Sequence, residues 1–333
     1  MKKILTALLA ATMMLSLAAC GQSEAPAAPA ASSAPAASST VEETPAANKY
    51  AIILKTQSTD FWMSVWNGAE EYAKANGIDL DLYAATSDAD FEGQLAILEN
   101  CINSGEYAGI GIAPCSAVNT ITGVKAANDA GITVVNIDEQ FDAAEMESQG
   151  AVCSAFVSSD NVAIGHLGAE YLCSLLESGA QVAVIEGIAG NPSSEARAEG
   201  AKAAFSEAGM ELVAAQSCDW DMQKALDTAT AWITQFPELK AIYCCNDGMA
   251  AGVRQAIANA GKTGEILLCG TDGDGDAIEA VAAGNMTATV AQDPAGIGAM
   301  GLELLVDAVE NPGNYTPAAA PEKTPVDAVL VKE

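Results

Sequence analysis

From about residue 50 onward, short apolar runs alternate with longer segments whose apolar positions recur every three or four residues. The runs at 50–54, 78–83, 110–113, 132–137, 181–185, 241–245 and 266–269 are partly β-branched and read as strands buried on both faces. Between them, 61–76, 91–104, 118–130, 161–178, 195–208, 222–236 and 249–260 carry helical spacing. Gly77, Gly105, Gly131, Gly179, Gly209 and Gly261 stand just past helix ends, where a left-handed residue is wanted. Regular strand–helix alternation predicts an α/β fold with doubly wound parallel sheets. The series restarts near Gln181, so two sheets are expected, with a boundary around Ser159.

The first 47 residues follow another pattern. Lys2 and Lys3 precede an uncharged apolar run over 4–17, too short for a permanent membrane span and suited to a secretory signal. It ends in Leu17-Ala18-Ala19-Cys20-Gly21, which resembles a bacterial lipobox: residues 1–19 would be removed and Cys20 would take the lipid. Residues 20–47 are almost entirely Ala, Pro, Ser, Thr and Glu after that cysteine. Such a segment cannot bury enough apolar surface to offset its ordering entropy, so a disordered tether is expected. The expected location is outside the cytoplasm, held to the cell membrane by an N-terminal lipid.

Charge and cysteine count narrow the partners. A formal net charge of −30 repels nucleic acid and anionic lipid headgroups. Of nine cysteines, those from Cys101 onward show no CxxC spacing and lie mostly in apolar runs, which favours buried free thiols over disulfides.

Ligands of open α/β sheets bind beyond the carboxyl ends of the strands. The residues expected there are Lys55 with 56–62, then Asp138 and Glu139, then a glycine-rich loop with Asn191, Glu195 and Arg197. Farther along stand Asp219-Trp220-Asp221, Asn246-Asp247, Thr271-Asp272 and Gln292-Asp293. A sugar explains that mixture. Its apolar C–H faces suit the rings of Phe61, Trp62 and Trp220, and its hydroxyl rim suits Asp, Asn, Gln and Arg. The bland alternative is that the aromatics are core and the short polar residues are helix caps.

Enzymatic readings do poorly. His166, the one histidine, lies within a predicted helix and can complete no triad. The run from Asp272 to Asp276 suggests a calcium loop, but Ala277 stands where glycine is needed and Ala283 where glutamate is. No phosphate loop is present, and neither a metal nor a cofactor is expected. A secreted glycosidase using two cleft carboxylates is the rival from another class.

Several segments carry a family resemblance: Leu54-Lys55-Thr56 with Phe61-Trp62, Asn136-Ile137-Asp138-Glu139, Ile185-Glu186-Gly187 with Ala189-Gly190-Asn191, and Glu195-Ala196-Arg197. Asn246-Asp247, Gly270-Thr271-Asp272-Gly273 and the stretch 286–292 complete it. Residues 50–310 resemble the bacterial periplasmic ribose/galactose/allose-binding proteins. The resemblance implies two Rossmann-like lobes joined by three crossovers, 48–159 with 293–322 and 160–292 with 323–333, closing on a monosaccharide. Carried over by position, the ligand contacts fall on Lys55, Phe61, Trp62, Asp138, Glu139, Arg197, Trp220, Asn246, Asp272 and Gln292, with Thr59 and Asn191 beside them.

Glu139, where ribose binders place arginine, and Lys55 follow the allose pattern, which implies a D-allose-like hexose, with D-allulose or ribose as competitors. An ion pair between the two at the pocket rim is expected. Thr59-Asp60 departs from the usual Asn-Pro and so removes one amide contact and a rigid turn. The implied partners are the membrane subunits of an ABC importer and, as a further candidate, a chemoreceptor; the implied state is a monomer.

Overall fold

The computed structural model describes residues 48–332. The signal and tether readings, with Cys20, lie outside the described residues.

The first lobe is laid down as β1 (Lys49–Leu54), α1 (Asp60–Asn76), β2 (Asp79–Ala84), α2 (Phe91–Ser104), β3 (Tyr107–Ile112), α3 (Ile121–Asp129), β4 (Thr133–Ile137), α4 (Ala143–Gln149) and β5 (Ala155–Ser159). The second follows as α5 (Asn161–Ser174), β6 (Gln181–Glu186), α6 (Pro192–Glu207), β7 (Glu211–Ser217), α7 (Met222–Gln235), β8 (Leu239–Cys244), α8 (Asp247–Asn259), β9 (Leu267–Asp272), α9 (Gly275–Ala282) and β10 (Ala288–Ala291). The chain then returns through α10 (Pro294–Glu310), β11 (Lys323–Val326) and β12 (Val329–Lys332).

Two six-stranded sheets result, ordered β11-β5-β4-β3-β1-β2 and β12-β10-β9-β8-β6-β7. Every pairing is parallel except β10 with β12. The central strands are buried nearly end to end, as their unbroken apolar runs require. The first sheet buries one cluster around Ile52, Val65, Val135 and Leu302 on one face and another around Ile53, Leu98, Ile110 and Val134 on the other. The second sheet is enclosed in one core that includes Val184, Phe205, Tyr243 and Val253. All six glycines read as helix stops have φ between 66° and 86°.

One expectation needs correction. Residues 323–333 were placed with the second lobe, yet β11 pairs in parallel with β5 as an edge strand of the first sheet, Lys323 beside Phe156 and Val326 beside Ser159. Val326 is buried in the first-lobe core, and Pro325, which has no N–H to donate, is tolerated because the strand is at the edge. The last crossover therefore falls between Val326 and Val329, and only β12 joins the second sheet.

Several helices start earlier than periodicity suggested, because polar caps extend them. Asn191 Oδ1 accepts from Ser194 N at 2.9 Å, and Asn246 Oδ1 from Met249 N at 2.9 Å. Among the described residues no helix is long and apolar enough to cross a membrane, and the eight cysteines are all buried and free.

Candidate functional site

The carboxyl ends of both sheets open onto one cleft of about 330 Å³. Lys55, Thr59, Phe61, Trp62, Asp138 and Glu139 line it from the first lobe, and Arg197, Trp220, Asn246 and Asp272 from the second.

In the first lobe, Lys55 follows β1 directly, and the first turn of α1 presents Phe61 and Trp62. Their rings meet edge to face at 5.0 Å. Thr59 caps this helix, its Oγ1 accepting from Trp62 N at 3.4 Å, and the Lys55 ammonium stands 5.4 Å from the Trp62 ring centre. Beyond β4 the chain turns through Asp138, whose φ is 59°. Asn136 Nδ2 donates to the Glu139 carbonyl at 2.7 Å and Ser158 Oγ to the Asp138 carbonyl at 2.6 Å, so the turn is held from both sides.

The ion pair expected between Lys55 and Glu139 is present at 2.5 Å, but it is buried, with side chains 5% and 1% exposed, and not at the rim. Burial alone would lower the Lys55 pKa, yet the charges of Glu139 and Asp138 carry it above the usual value. Burial would likewise raise the Glu139 pKa. The Lys55 charge and hydrogen bonds from Lys55, Ser193 and Asn191 instead hold it below the ordinary carboxylate range.

Asp138 beside it is different. Burial, opposed by Lys55 and reinforced by Glu139, pushes its carboxyl up to about 6. Its Oδ1 is buried without a hydrogen-bond partner among the described residues.

In the second lobe, Arg197 projects from α6. Its Nε donates to Asn161 Oδ1 at 2.8 Å, and Nη1 donates to the Cys245 carbonyl at 2.8 Å and to Asp272 Oδ1 at 3.1 Å. Asp272 ends β9 with φ 122° and also accepts from Gln292 Nε2 at 2.6 Å. Burial, partly offset by Arg197, pushes its carboxyl to about 7. Asp219 and Trp220 both hold left-handed backbone, with φ 54° and 60°. The Trp220 indole lies over Gly187, where an added Cβ would come within 2.3 Å of the ring.

Two expected residues stand behind the cleft surface. Gln292 supports Asp272, and Asn191 donates to Glu139 Oε2 at 2.6 Å. The bland alternative holds in part, since Thr59, Asn191 and Asn246 each spend a side-chain oxygen on a helix cap. The cleft also takes in Ser58, Asp60, Asp88, Ser193, Gly248 and Asp274. Asp88 follows β2 and Asp274 follows β9, so the strand-end rule could have found both. Ser193 acts through its backbone N–H, which no side-chain pattern signals.

Aromatic faces, opposed charges and an unpartnered carboxylate oxygen suit a small, hydroxyl-rich ligand. Residues 50–313 match the family model described as periplasmic binding protein domain. The chain belongs to the periplasmic binding proteins. It is 49% identical over 291 residues to the D-allose-binding periplasmic protein of Escherichia coli, covering 86% of this chain and 93% of that one. It is 34% identical to the D-ribose/D-allose-binding protein of Pseudomonas aeruginosa, over 73% of this chain and 76% of that one.

Among solved structures, an ABC transporter solute-binding protein of Actinobacillus succinogenes with bound D-allose superposes with TM-score 0.78 at 32% identity, covering 86% of this chain and 97% of that one. Another, from Agrobacterium vitis with bound D-fucose, gives 0.77 at 26% identity, covering 86% and 95%. Membership places this chain outside the cytoplasm and makes it a binding protein, not an enzyme, which sets the glycosidase reading aside.

Proposed function

We propose that this chain captures a monosaccharide of allose type in the cleft and delivers it to the membrane subunits of an ABC importer. The observation that carries the reading is the meeting of Phe61, Trp62 and Trp220 with Asp138, Arg197 and Asp272 in one cleft. The rings cover apolar sugar faces, the buried carboxylates accept hydroxyl protons, and the guanidinium donates to ring or hydroxyl oxygens. The names of the relatives from E. coli and P. aeruginosa support allose over other hexoses, and the second name keeps ribose in view.

In this reading the chain acts as a monomer, each lobe supplying one wall of the cleft. Closure of the lobes on the sugar is the signal the importer reads.

Calorimetric titration against D-allose, D-allulose, D-ribose, D-glucose and D-galactose tests the assignment. Allose is expected to bind most tightly. Ribose lacks one carbon and its hydroxyl and leaves a buried partner unpaired, so it should bind more weakly. Tighter ribose than allose binding overturns the allose assignment, and no binding by any sugar of the panel overturns the sugar reading.

The lipobox-like Leu17-Ala18-Ala19-Cys20 supports a lipid tether on the outer face of the membrane. Mass spectrometry of the native amino terminus tests it, and an unmodified Cys20 would refute it.

A further inference from the structure

We propose that Glu139 is a clasp between the lobes, not a sugar contact. The inference rests on the reading of the cleft as a sugar site that closes. Glu139 follows β4 in the first lobe, yet two of its three hydrogen bonds come from the second. Its Oε1 accepts from Ser193 N at 2.9 Å, and its Oε2 accepts from Asn191 Nδ2 at 2.6 Å and from Lys55 Nζ at 2.5 Å. A carboxylate offers about four acceptor positions, so little is left for a ligand, and the residue is 1% exposed. Asp138, one position earlier, keeps a buried oxygen with no partner among the described residues. The two adjacent carboxylates thus divide the work: Asp138 faces the ligand and Glu139 faces the other lobe.

The receiving end is built for an anion. Asn191 caps α6, its Oδ1 accepting from Ser194 N, while Pro192 occupies the first helical position and has no N–H. Ser193 N is then the first-turn donor left for an outside acceptor, and the Glu139 carboxylate takes it at the positive end of the helix dipole. Lys55 neutralises the buried charge from the first-lobe side. The same helix carries Arg197 one turn further on, so the clasp fixes the helix that presents the guanidinium to the cleft.

These bonds exist only when the lobes meet. They favour the closed form before any sugar arrives and raise the competent fraction that scales apparent affinity.

Two variants separate the clasp from ordinary stabilisation. Asn191→Asp keeps a good helix cap but sets a carboxylate against Glu139. Glu139→Ala removes the acceptor. X-ray scattering of the sugar-free full chain should give a larger radius of gyration for both variants than for the unmodified protein. An unchanged near-UV circular dichroism spectrum would show that the expanded species is folded. D-Allose affinity of Asn191→Asp should fall by about tenfold, in step with the lost closed fraction. Equal radii for all three sugar-free proteins overturn the clasp. If no sugar binds the unmodified chain, the sugar reading fails, but the comparison of sugar-free proteins still decides this one.

Discussion

Phe61 and Trp62 reach the cleft from the first turn of a regular helix, whereas Trp220 reaches it from a turn in which two successive residues hold left-handed backbone. Such a conformation costs non-glycine residues about 1–2 kcal/mol each. The charges differ in the opposite sense. In the second lobe Arg197 and Asp272 satisfy each other, with Asn161, Cys245 and Gln292 bracing them. In the first lobe Glu139 is committed across the gap and Asp138 is left open. One wall has a relaxed aromatic platform with an unsatisfied acid, and the other a strained platform with a completed ion pair. The second-lobe polar groups are therefore preorganised and lose little on binding, while the first lobe leaves an acceptor for the incoming hydroxyl.

The largest test strikes the completed pair. Arg197→Ala removes charge-assisted bonds and strands the buried Asp272 carboxyl. Sugar affinity measured by calorimetry should fall by about 2–3 kcal/mol, roughly thirty- to 150-fold. A loss under threefold would take Arg197 out of the site.

Next comes the strained platform. In Gly187→Ala the new Cβ collides with the Trp220 ring, so the indole must move. Affinity should drop by about 1–2 kcal/mol, near the low end of overpacking costs, and the tryptophan emission of the sugar-bound protein should shift. Unchanged affinity and emission would mean that the indole position is not set by this glycine.

The smallest effect concerns pH. The Asp138 and Asp272 carboxyls, at about 6 and 7 in the folded protein against an ordinary 3.8, hold protons that the unfolded chain has released between about pH 4 and pH 7. Stability contributed by these two groups therefore falls as pH rises through that window. The sugar-free protein should melt at a higher temperature near pH 5 than near pH 8. Hydroxyl donors favour ionised carboxylates, so sugar affinity should run the other way and be severalfold weaker near pH 5. Glu139 and Lys55 are shifted away from this window, one downward and one upward, and do not blur the contrast. Stability and affinity rising together toward low pH would break it.

Much of this was legible before any coordinates. Unbroken apolar runs marked the buried strands, and the rule that ligands sit at strand carboxyl ends led to Lys55, Asp138, Arg197 and Asp272, all of which line the cleft. β11 went unseen because a four-residue edge strand containing proline carries no usable periodicity. The sequence pairs Glu139 with Lys55 correctly but does not show its burial or its two other partners, since one of these is a backbone N–H and both lie on the far lobe. The support that Gly187 gives Trp220 depends on which loops fold against each other, and the residues flanking the glycine do not show that.

Burial of the thiols has a practical side. It pushes Cys101 to about 11 and Cys115, Cys153 and Cys245 to about 12, so at neutral pH almost none of these thiols is the reactive thiolate. A single cysteine introduced at an exposed position on the cleft rim should outcompete them for a maleimide dye. In a chain begun after Cys20, the protein would accept one fluorophore without removal of any native cysteine, and opening and closing would become an optical signal: a reagentless sensor.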